Sequence, residues 1–172
     1  IGLFVIALLA SAIAMAPAQL VFRGSEGVLT FQRAEGTIWQ STLRHADLGG
    51  LDGGDAKVSL SFLGLLQGQL VSEIDFAGAD VSGRAVLHAG LNGDRRIETP
   101  SLTISGMRIQ GLGRLSGKTT LVAVDIQFAG NQCVSARGQI ESDVLIQLAE
   151  LSGGQAPSLA GAASCAGRLG RL

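Results

Sequence analysis

Tyrosine is absent from the 172 residues, and the aromatic complement is six Phe and a single Trp. Hydrophobic residues make up 47% of the chain and aromatics only 4%, so any buried core has to be aliphatic. Charge is also sparse. Thirteen Lys and Arg against fourteen Asp and Glu leave a net charge of −1. The cations are scattered, with Arg95-Arg96 the sole adjacent pair, so there is no basic footprint for nucleic acid. The two Cys, and two His at positions 45 and 88, give no ligand-pair spacing, which argues against a metal site. No motif calls for a cofactor. Helical periodicity is scarce too, with none of the repeated 10–15-residue helices that parallel crossovers require.

Glycine, by contrast, is abundant. Its 25 positions lack the three-residue period of collagen and punctuate segments in which polar and apolar residues alternate. That combination suits an antiparallel sheet with many turns and bends. The fold expected is therefore mainly β: an N-terminal transmembrane helix, then an antiparallel, curled sheet of short strands with one short helix near 143–151.

The first 22 residues, Ile1 to Phe22, differ from everything after them. They carry no ionisable side chain, and the first charge is Arg23. As a helix at ~1.5 Å per residue they reach roughly 33 Å, enough for a bilayer core of about 30 Å. This predicts a transmembrane anchor at 1–22 and an exported, periplasmic β-rich domain at 23–172. A cleaved secretory signal is the competing reading, because Ala16-Pro17-Ala18 has the small-x-small look of a cleavage site. Both readings export the remainder. In an exported domain the even cysteine count points to a disulfide between Cys133 and Cys165, whose loop of about 33 residues corresponds to ~3.7 kcal/mol in the chain-entropy estimate. Two unpaired buried thiols are the alternative.

Along the domain, Lys57 to Phe62 and Leu70 to Phe76 show period-two alternation. Leu70, Ile74 and Phe76 fall on one face, Glu73 and Asp75 on the other. Gly64 to Gly68 reads as the turn between them, and Gly90 to Asp94 as the turn after a strand at 81–89. Two short strands, Leu102 to Ile104 and Met107 to Gln110, are expected around Pro100 and Gly106. From Thr119 to Phe128, Val122, Val124, Ile126 and Phe128 alternate with Ala123, Asp125 and Gln127. Periodicity turns helical only at Asp143 to Leu151, with Ser142 or Asp143 as cap and Gly153-Gly154 as stop.

Catalytic candidates lack companions. Asp52 with Asp55, and Glu73 with Asp75, are paired carboxylates of the kind a glycosidase uses, but Glu73 and Asp75 share the polar face of a strand. His45 and His88 could act as bases, yet no nucleophile elbow or zinc-binding motif accompanies them. Gly113 to Thr119 has three residues between its glycines where a phosphate loop needs four, so a tight Gly-Lys-Thr turn is the reading adopted. No catalytic residue is assigned, and a non-enzymatic binding domain is expected.

The order of these features resembles the type II secretion system protein N family. The resemblance rests on the N-terminal apolar segment, on Ala34-Glu35-Gly36-Thr37-Ile38-Trp39, similar to that family's Gly-Thr-(apolar)-Trp signature, and on the glycine-punctuated strands at 58–76. It extends to Cys133-Val-Ser-Ala-Arg-Gly138 and Ser164-Cys165-Ala-Gly-Arg-Leu169. The resemblance implies a single-pass protein of the cell inner membrane with a periplasmic β domain, a scaffold partnering other inner-membrane subunits of the secretion machine. Membrane lipid would contact it through the N-terminal helix. Gly36, Thr37, Ile38 and Trp39 become a candidate interface. The rival function is a periplasmic lipid-binding or lipid-bridging protein holding an acyl chain. Whether the face bearing Leu60, Phe62, Leu70, Ile74, Phe76, Val122, Val124 and Ile126 closes on itself or stays open as a trough separates the two.

Overall fold

The architecture was obtained as a computed structural model, which describes residues 15, 17–18, 29–109, 113–151, 153–154, 157–166 and 169–171. Most of the expected span at 1–22 lies outside these residues, and none of the described helices is long and apolar enough to cross a membrane.

Alternating sequence forms one large antiparallel meander. Its strands are β1 (Leu29–Thr30), β2 (Arg33–Gly36), β3 (Gln40–Leu48), β4 (Leu51–Leu60), β5 (Gln69–Ala77), β6 (Val81–Gly90), β7 (Arg95–Ile109), β8 (Gly113–Ala129), β9 (Gln132–Ser142) and β10 (Leu159–Ala162). They lie in the order β1-β3-β4-β5-β6-β7-β8-β9-β10, with β2 also on β3, so β1 and β2 make up one broken edge. The sheet is open: its order ends at β10 without returning to β1. β11 (Ser164–Ala166) and β12 (Leu169–Arg171) form a separate pair. Cys133 and Cys165 are joined as expected, with Cα atoms 5.5 Å apart, and the bridge fastens β11 beside β9. Ala163 N donates to Gly138 O at 3.1 Å along the same edge.

Two short helices interrupt the meander. α1 (Phe62–Leu66) lies between β4 and β5, and α2 (Val144–Leu151) follows β9. α2 is the expected helix, and Ser142 Oγ accepts from Val144 N at its start. Asp143 instead turns its carboxylate to the Lys118 backbone N–H. α1 corrects the reading of Phe62 as a strand residue and of Gly64 to Gly68 as a plain turn. Ser61 Oγ accepts from Gly64 N at 3.2 Å and caps a helical turn. A second correction concerns Gly117-Lys118-Thr119, which lies inside β8. A Cβ on Gly117 would strike Val144, so this glycine lets α2 lie close against β8.

Bulges shift the alternation. β7 is one 15-residue strand rather than two short ones, and it passes through Pro100 at a break in the β6–β7 register between Arg84 and Val86. In β8 the register shifts against β9 between Val122 and Asp125, where Ala123 has φ +50°. As a result Leu121 is 8% exposed and Val122 42%, the reverse of the expected facing, while Val124 stays buried. The β7–β8 register sets Pro100 opposite Ala123. Gly83 (φ +131°) flanks one bulge, Gly138 (φ +133°) flanks the other, and a Cβ on either would run into neighbouring backbone. The irregularities thus form a line across β6 to β9, and bulges bend strands and add twist.

The sheet also folds over. β4 and β7 lie three places apart, about 14 Å in a flat sheet at ~4.8 Å per strand, yet they approach within 8 Å Cα–Cα. Asp80, buried in the β5–β6 turn, is the clasp. Its N–H donates to Asp52 O (3.0 Å), its Oδ2 accepts from Asp52 N (3.0 Å), and its carbonyl accepts from Ser105 N (2.6 Å), which links β4 to β7. Beside this clasp Ala34, Leu43, Ala46, Ala56, Val58, Phe76 and Val81 pack into the main buried cluster, with Leu102 of β7 against it.

Candidate functional site

The outer face is a set of crossing ion pairs. Arg44 on β3 reaches Glu35 (3.2 Å) and Asp55 (2.5 Å). Arg84 on β6 holds both Glu73 (2.8 Å) and Asp75 (2.7 Å), so each carboxylate of that pair has a cationic partner. Arg96 binds Asp125 through two hydrogen bonds of 2.8 and 2.9 Å and also meets Glu98, while Arg137 approaches Asp125 from β9 at 3.0 Å. The hydrogen bond from Arg96 holds the Asp125 carboxyl below its ordinary value, against partial desolvation and with help from Arg137. Arg44 does the same for Asp55.

The other expected acid–base residues have structural places too. Asp52 Oδ1 accepts from Gly54 N (2.8 Å). Asp55 Oδ1 accepts at 3.4 Å from the N–H of His45, the bulged residue of β3 (φ +53°). His88 Nε2 lies 3.6 Å from Glu98 and makes no hydrogen bond among the described residues. No group of three potential metal ligands occurs among the described residues.

The inner face is different. At the end opposite the Asp80 clasp, a cavity of about 990 Å³ lies open between the curled strands. Leu43, Val58 and Ile74 form its floor and also belong to the core or pack against it. Leu60, Leu65, Leu70, Leu87, Ile97 and Phe128 form its walls, and Leu29, Ile38 and Trp39 line one side. The size is at the upper end of ordinary ligand sites, about 300–1,000 Å³. The expected apolar face therefore closes near Phe76 and stays open as a trough near Leu60, Leu70 and Ile74. Val122 is not on it, because of the bulge at Ala123, and Phe62 has moved to α1.

The Gly36-Thr37-Ile38-Trp39 segment is the hairpin that feeds this trough. Thr37 N donates to Gln40 O (3.0 Å) and Thr37 Oγ1 accepts from Gln40 N (3.3 Å). Gly36 has φ +100°, and a Cβ there would meet the Gln40 carbonyl. The tight reversal sets Ile38 and Trp39 on the cavity wall, and Trp39 stacks edge-on against Phe62 with ring centroids 5.6 Å apart. Arg95 also lines the mouth. It is solvent-exposed and forms no ion pair among the described residues. Sequence reasoning missed Arg95 and the Asp80 clasp. The Ala89↔Arg95↔Phe128 register, which places Arg95 on the apolar face, was already implied by alternation from Leu70 across the turns.

Residues 28–171 match the family described as type II secretion system (T2SS), protein N. The chain belongs to that family. No curated protein and no solved structure matches it. In this type II secretion protein the signature-like segment and the trough are one structure, since the Gly-Thr-Ile-Trp hairpin builds a wall of the cavity.

Proposed function

We propose that this type II secretion component is a non-enzymatic scaffold of the inner membrane, anchored through residues 1–22 with its β domain in the periplasm. It works by holding an apolar segment of another inner-membrane subunit in the trough. The carrying observation is the contrast between faces: the outer carboxylates Asp55, Glu73, Asp75 and Asp125 are engaged by arginines, whereas the inner face offers a wide cavity lined mainly by aliphatic side chains, with Arg95, Arg96 and His88 among its lining. The edges are poorer candidates for binding. β1, β2 and β10 have two, four and four residues, and short broken edges resist strand addition. This favours the trough over edge pairing as the binding surface.

A photoreactive amino acid in place of Leu87, a half-exposed wall residue, tests the reading. A covalent adduct with a secretion subunit in intact membranes is the expected outcome. Adducts only from a photoreactive residue on the outer face, at Glu73, would overturn it.

One observation favours a second reading, binding of a lipid acyl chain. Arg95 forms no ion pair among the described residues and stands at the mouth of a mainly apolar cavity, the arrangement that suits an anionic amphiphile. Mass spectrometry of lipids extracted from the purified protein checks it. Anionic lipid retained by the wild type and lost from Leu87→Arg supports this reading, and equal retention by both contradicts it.

A further inference from the structure

We infer that the trough-mouth end of the sheet docks on the interface of a lipid bilayer, with α1 and the tip of the β6–β7 hairpin inserted as a lip. This goes beyond the trough's occupant and stands whether or not the cavity is filled. In a meander alternate reversals share one end. Here they are Thr37–Trp39, Ser61–Gly68, Leu91–Asp94 and Gly130–Asn131, and Asp94 is the sole ionisable residue in them. α1 reads Phe-Leu-Gly-Leu-Leu and leaves its large side chains in solvent, with Leu63 69% and Leu66 70% exposed. Leu91, at the neighbouring tip, is 92% exposed. The two reversals are tied by a 3.4 Å bond from Leu91 N to Gly68 O, so they present one patch. Contiguous exposed leucines of this kind mark an interaction surface rather than ordinary scatter.

What selects a bilayer is the company of the patch. Pro17 and Ala18, which belong to the uncharged sequence before Arg23, meet the sheet at this same end. Pro17 bridges Thr37, and Ala18 N donates to Gly36 O at 3.2 Å, next to Ile38 and Trp39. Trp39, half-buried against Phe62, suits the headgroup level, where amphipathic rings concentrate. Arg95, directly behind the Leu91 tip and without an ion-pair partner among the described residues, is placed for a lipid phosphate.

Trp39 is the only tryptophan, so its fluorescence has a single origin. The full chain is reconstituted into mixed phosphatidylcholine–phosphatidylglycerol vesicles whose acyl chains carry bromine. Quenching of Trp39 is expected in the wild type. It should be lost by more than half in the Leu63→Ser, Leu66→Ser, Leu91→Ser variant, which removes apolar area worth several-fold in partitioning per leucine. Leu159→Ser, at the opposite end of the sheet, should quench as the wild type does. The substituted leucines are exposed, and an intact Cys133–Cys165 bridge with native circular dichroism confirms that each variant is folded. Absence of quenching in the wild type overturns the proposal. So does undiminished quenching in the triple variant, which would assign the signal to residues 1–22 alone. Protection of Trp39 that appears only when solubilised secretion subunits are added would make the surface a protein interface, and also overturns it.

Discussion

Single residues decide where this sheet bends. Ala123 adopts φ +50°, a conformation that costs an L-residue about 1 kcal/mol and a glycine almost nothing. Ala123→Gly should therefore raise stability by up to about 1 kcal/mol in urea denaturation, whereas Gly83→Ala and Gly138→Ala should each lower it by about 2 kcal/mol or more. Opposite signs for Ala123 and Gly138, on the two sides of the β8–β9 bulge, are the distinctive expectation. Alternation could not reveal this position: Thr119 to Phe128 reads as an unbroken strand, and only the partner strands force Leu121 inward and Val122 out. Asp125 sets the pH response. Arg96 lowers its carboxyl in the folded protein below the ordinary value of about 3.9. The stabilisation is thus fully present above about pH 4 and is lost as pH falls through the depressed folded value. Thermal melts on acidification should fall less steeply for Asp125→Asn than for the wild type, and that variant should also be less stable at neutral pH by about 1 kcal/mol, because its partners are largely exposed.

Elements were legible where their period was sustained by their own side chains. β5 and α2 emerge where expected because Leu70 to Phe76 and Asp143 to Leu151 each keep one period throughout. α1 was not legible. Its five residues are too few to show a helical face, and its start depends on the Ser61 cap. β7 was misread at Pro100, since a proline inside a strand ordinarily ends it; here its missing N–H lies at a bulge. The clasp of β4 to β7 through Asp80 joins residues distant in sequence, and no local pattern announces it. Asp80→Ala removes the carboxylate that accepts from Asp52 N but keeps the backbone bonds to Asp52 and Ser105, so it should lower stability by about 1–3 kcal/mol in urea denaturation while the curl persists. The far edge depends on the disulfide. Replacing Cys133 and Cys165 together by Ser should reduce the unfolding free energy by about 3–4 kcal/mol, and amide exchange should rise first in β10 and β11.

At the scale of the molecule, one sheet serves two solvents. Its outer face is covered by arginine–carboxylate pairs; its inner face closes into a core at the Asp80 end and opens into a trough at the Trp39 end. That Glu73 and Asp75 would share the polar face of one strand was readable from the alternation, and Arg84 of β6 meets them there. That Gly36 to Trp39 would become the trough wall was not, because it follows from the fold-over of strands remote in sequence. The account's central claim is that secretion depends on the trough and on no catalytic group. The most direct measurement is the rate at which cells lacking this protein export a type II substrate when complemented with Leu87→Arg, which puts a charge into the cavity wall, alongside single alanine variants of His45, His88, Asp52, Asp55, Glu73 and Asp75. The account predicts that Leu87→Arg, folded and correctly disulfide-bonded, abolishes export while every alanine variant sustains it. Normal export with Leu87→Arg, or loss of export in a folded alanine variant that still captures its partners, would contradict it.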